Sequence, residues 1–112
     1  PAHVFERVHA DYAGRRRGVM GRLREHVSGL SSMANALEEN LTALESRLGA
    51  LEDERAEAML RTAVGEFDGE RWEHVRQDVE SQIAGLGEQR TSLLSEVDEV
   101  RTLLASASSE PE

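Results

Sequence analysis

Apolar residues recur at alternating steps of three and four through most of this chain, and that rhythm leaves few folds open. Phe5, Val8 and Tyr12 begin it. Met20, Leu23, Val27, Leu30, Ala34, Leu37, Leu41, Leu44, Leu48, Leu51 and Ala58 carry it on. A heptad pattern held over about seven repeats is the mark of a long coiled-coil helix, whose 3.5-residue period keeps one apolar stripe turned toward a partner. No proline interrupts residues 2–110, so nothing obliges the helix to stop. With Leu41 and Leu48 at position a and Leu37, Leu44 and Leu51 at d, the flanks are Glu38, Asn40, Glu45, Arg47, Glu52 and Glu54. Polar flanks make the stripe narrow, which suits a two-stranded seam better than a broad bundle face.

The rhythm slips between Tyr12 and Met20, where Gly14, Arg15, Arg16, Arg17 and Gly18 interrupt it. A bend or local overwinding is expected there. It fails outright after Ala63. Gly65 can take the left-handed conformation that ends a helix, and Asp68 can cap the next one with its carboxylate. A second periodic run follows: Trp72, Val75, Val79, Ile83, Leu86, Leu93, Val97, Val100, Leu104 and Ala107. Because the loop is short, the two helices must lie antiparallel, with facing residue numbers summing to about 132. The expected fold is therefore all-α: a long antiparallel helical hairpin, coiled-coil in character, with an N-terminal helical overhang. Its parts are a basic overhang over 1–27, a first arm over 28–64, a turn over 65–69, a second arm over 70–106, and a disordered tail over 107–112.

The second arm is too short to cover the first. Phe5, Val8, Tyr12, Met20 and Leu23 are left in an uncovered row, and such a row normally marks an association surface. Val27, Met33, Leu94 and Leu103 widen the stripe near the open end of the hairpin and complete the expected interface. The sequence thus predicts a homodimer or larger helical bundle joined through that end, with a helical protein partner as the other cover. A fold-back of the first residues as a third helix would need a break at Ser28-Gly29. The unbroken heptad phase from Leu23 through Leu37 argues against it.

Composition narrows the function. Hydrophobic residues make up 38% of the 112 residues and aromatics 4%, too little for a thick core with a concave catalytic pocket. There is no cysteine, hence no thiolate metal site or thiol nucleophile, and no serine sits in a nucleophile elbow. No enzyme activity and no cofactor is expected. No apolar run reaches the roughly 18 to 20 residues that span a bilayer, and a cytoplasmic protein is expected. All 13 basic residues are arginine, a bias that fits a GC-rich bacterial genome, and the opening on Pro1 suggests a segment of a longer protein.

Charge is unevenly placed. Residues 1–27 hold six arginines against Glu6, Asp11 and Glu25, whereas the rest holds seven against nineteen acids. Arg15, Arg16 and Arg17 are candidates for anion contact with nucleic acid or an anionic membrane. The absence of an aromatic stacking set and a net charge of −9 weigh against both partners. Arg55 and Arg90 fall at a positions, where charges weaken a coiled coil but penalise wrong registers. Their expected partners are Asp78 for Arg55 and Glu38, Glu39 or Glu45 for Arg90. Glu70, His74 and Asp78 share a helix face at metal-ligand spacing but have no ligand from a second helix, which leaves no metal site expected.

The turn carries Glu66, Asp68 and Glu70 at a protruding tip. An acid-tipped helical hairpin resembles the bacterial transcript-cleavage factors, which place such a tip in the secondary channel of RNA polymerase. That resemblance implies a transcription regulator as one alternative function. Gly65, Phe67, Glu70 and Trp72 also resemble a short helical-hairpin motif found at the ends of many bacterial proteins. The principal expectation remains a non-enzymatic coiled-coil module that oligomerises or spaces a larger bacterial protein. Attachment to an anionic membrane or nucleic acid through the Arg-rich segment is the other alternative.

Overall fold

The computed structural model describes residues 1–108. Two helices account for nearly all of them: α1 (Ala2–Ala63) and α2 (Gly69–Ser108), with no strand among the described residues. α1 is helical throughout, including Gly14 to Gly18 and Ser28-Gly29, so the first residues do not fold back as a third helix. α2 runs to Ser108, two residues past the expected end of the second arm, and residues 107 and 108 of the expected tail are helical. The rest of that tail lies outside the described residues.

The turn shows why the long helix stops where it does. Gly65 has φ of +84°, in the left-handed region that side chains disfavour. The Glu66 N–H donates to the Arg61 carbonyl at 2.8 Å and the Gly65 N–H to the Thr62 carbonyl at 3.1 Å. This is the Schellman pattern, which satisfies the last carbonyls of a helix with Gly at C′. On the other side, the Arg71 N–H donates to Asp68 Oδ1 at 2.8 Å, so Asp68 caps α2 as its side chain allows. The Trp72 N–H closes the first helical turn onto the Asp68 carbonyl at 3.1 Å.

The chain divides into two units, one of residues 36–98 and the other of residues 1–35 with residues 99–108. In the first, the antiparallel pairing is fixed by side chains across the seam. Arg47 Nη2 donates to Gln82 Oε1 at 3.0 Å, Arg90 Nε to Glu45 Oε1 at 3.1 Å, and Arg55 Nη1 lies 3.8 Å from Glu80 Oε1. The residue numbers of these pairs sum to between 129 and 135, around the expected register. Leu44, Leu51, Ala58, Val79 and Val97 are buried along this seam, and Leu51 and Val79 are enclosed almost completely. In the second unit Leu30, Ala34 and Val100 are buried. The core is a single row of side chains, as a narrow stripe requires.

The seam of α2 differs from the expected one at a single place. Its a positions run Arg76, Ile83, Arg90, Val97 and Leu104, so Arg76 occupies a place assigned from sequence to Val75, and the two residues share it half-buried.

Candidate interaction surface

The residues expected to form the interface fall into two groups. Phe5, Val8 and Tyr12 are exposed by 72%, 61% and 64%, and Met33, Leu94 and Leu103 are exposed as well. Met20, Leu23 and Val27 are half-buried. Sequence reasoning missed Val19, 54% exposed, which continues the spacing of Phe5, Val8 and Tyr12. It sits one residue out of phase with Met20, Leu23 and Val27. On an unbroken helix of 3.6 residues per turn, one residue is a rotation of about 100°. Eighteen residues, however, make five whole turns, so Tyr12 stands on the side of α1 that Leu30 occupies, and the row Phe5, Val8, Tyr12 and Val19 prolongs the face of Leu30 and Ala34. The Phe5 ring stacks on the His9 imidazole within the same helix, with centroids 6.1 Å apart.

The arginines separate by position in the same way. Within residues 36–98, Arg47, Arg55, Arg61, Arg76 and Arg90 each have a side-chain partner, and Arg71 lies over the Phe67 ring at 4.1 Å from its centroid. Arg15, Arg16, Arg17 and Arg22 are exposed and have no hydrogen bond or ion pair among the described residues. These are uncompensated positive charges beside an uncompensated apolar row.

Arg55 and Arg90 pair across the seam, but not as core charges. Arg90 is exposed and Arg55 half-exposed, because each long side chain leaves the seam to reach a carboxylate at its edge. Arg90 finds Glu45, one of the expected acids. Arg55 finds Glu80 rather than Asp78. With a at Arg76, Glu80 is an e position flanking the seam, whereas Asp78 is an outward c position and accepts from Gln82 Nε2 at 3.1 Å instead. Glu80 also accepts from Arg76 Nη1 at 2.7 Å, and Arg76 is held by Glu73 one turn earlier. One carboxylate thus joins two arginines from facing helices. The hydrogen bond and nearby charge of Glu73, with the charge of Glu80, raise the Arg76 pKa above its ordinary value. The same contact with Arg76 holds the Glu73 carboxyl below the ordinary range.

At the tip, two of the three acids serve the turn. Glu66 accepts from Arg61 Nη1 at 2.5 Å, and Arg61 is bonded also to Glu57. Those partners, Glu57 first, raise the Arg61 pKa. Asp68 is the cap of α2. Glu70 lies exposed in the first turn of α2, where a carboxylate suits the helix dipole. Met59, Leu60 and Val64 are exposed close to the turn, outside the a and d positions that sequence reasoning followed. Among the described residues no group of three or more His, Asp or Glu side chains gathers as metal ligands, and no helix is long and apolar enough to cross a membrane. Compared with protein family models, with curated proteins and with solved structures, the chain matches none. Resemblances at the turn therefore rest on the turn residues alone.

Proposed function

We propose that this chain is a coiled-coil oligomerisation module, a scaffold or spacer that joins copies of a bacterial protein through the N-terminal part of α1. The observation that carries this reading is the row of Phe5, Val8, Tyr12 and Val19, all more than half exposed on a helix that continues unbroken past them. Apolar rows of this length on a helix are normally covered by another helix. The thin core of the hairpin points the same way. Among the described residues only Leu51 and Val79 are enclosed almost completely, and a single seam with few enclosed side chains gains stability from added burial in an assembly. Arg55 and Arg90 then act as register devices, whose carboxylate partners on the facing helix are lost if the helices slide.

The test is the full chain carrying Val8→Asn, Tyr12→Asn and Val19→Asn together. The substitutions remove exposed apolar surface without touching the hairpin seam. Sedimentation equilibrium should show the parent as a dimer or larger and the variant as a monomer at the same concentration, with equal helicity by circular dichroism. A variant that associates as the parent does would contradict the proposal.

A further inference from the structure

We infer that the N-terminal stretch of α1 of one copy seats in a groove on the hairpin of a second copy. This rests on the self-association reading and names its other half. The groove lies within residues 36–98, between α1 and α2, and is open with a volume of about 860 Å³. Leu44, Leu86 and Leu93 line it with apolar surface, and Gly85 lines it without a side chain, with nothing within 4 Å of where a Cβ would stand. A helix can approach the backbone closely there. Glu88 and Glu96 also line it, exposed and without a hydrogen bond or ion pair among the described residues.

The N-terminal stretch has the complementary chemistry. Val8, Tyr12 and Val19 supply an apolar stripe, and Arg15 and Arg22 lie along one edge of it with no hydrogen bond or ion pair among the described residues. Seven residues separate these arginines and eight separate the two glutamates, about 10 and 12 Å along a helix. Glu96 is turned about 80° from Glu88 around α2, a difference that long arginine side chains can span to meet both acids while the stripe covers the leucines. Pairing the N-terminal stretches of two copies with each other is the poorer solution. Six arginines against three acids in residues 1–27 give each stretch an excess of positive charge, and like charges across an interface are repulsive. The rest of the chain, with nineteen acids to seven arginines, attracts that stretch.

Two full-length charge-reversal variants test this, one carrying R15E and R22E and the other E88R and E96R. By light scattering, each alone should self-associate at least tenfold more weakly than the parent. An equimolar mixture should recover dimers containing one chain of each kind, because each variant then meets an oppositely charged partner. The E88R/E96R chain is decisive: if it dimerises alone as the parent does, the groove is not the seat, although the N-terminal stretch can still drive association. Failure of the mixture to recover would likewise overturn the groove pairing. A parent that is monomeric throughout would overturn the self-association reading and the docking with it.

Discussion

Single residues set the turn, and their effects have opposite signs at positions that look alike in sequence. Gly65 is at φ +84°, so Gly65→Ala places a side chain in left-handed backbone and should destabilise by about 1 to 2 kcal/mol. Gly49 is mid-helix with open space where a Cβ would be, and Gly49→Ala should stabilise by up to about 1 kcal/mol. Urea denaturation followed by circular dichroism separates the two. Glu73 gives a pH signature. Its carboxyl is held low by Arg76, so it binds protons more weakly folded than unfolded. It therefore adds stability above the unfolded pKa of about 4.3, and this is lost as pH falls through the folded value. The contribution is read as a difference between two chains that share every other titrating group. The stability gap between parent and Glu73→Gln should be present at pH 7 and close in acid below the Glu range.

At the scale of helices, the seam holds the hairpin and the charges at its edge hold its register. Leu51 is fully enclosed, and Leu51→Ala should cost about 2 to 5 kcal/mol by denaturant titration. Arg90→Leu should raise stability by of the order of 1 kcal/mol by extending the apolar seam, while loosening the discrimination against slipped pairings. The heptad made this architecture legible. The a and d residues from Leu30 to Ala58 are buried or half-buried, and Gly65 and Asp68 do at the turn what their residue types predict. What was not legible followed from side-chain reach. Arg76 breaks an apolar pattern and so drew attention to Val75, yet a long arginine can lie along the seam and place its charge at the edge. The choice of Glu80 over Asp78 depended on that same shift in the a positions. Val19 was hidden because Met20 beside it satisfied the main heptad.

For the whole molecule, apolar side chains are exposed near the turn, at Met59, Leu60 and Val64, as well as near the N-terminus, and what sets the N-terminal stretch apart is its positive charge. The arginines of residues 36–98 have partners, whereas Arg15, Arg16, Arg17 and Arg22 have no hydrogen bond or ion pair among the described residues and stand beside exposed Phe5, Val8 and Tyr12. Association built on both should weaken as salt screens the charges, since the Debye length falls from about 10 Å at 0.1 M to about 3 Å at 1 M. The most direct measurement is absolute mass in solution, by size-exclusion chromatography with light scattering, on the full chain and on one beginning at Ser28. The account predicts at least twice the 12.4 kDa chain mass for the full chain and a monomer for the shortened one. A monomer in both cases, or an equally stable dimer in both, would contradict it.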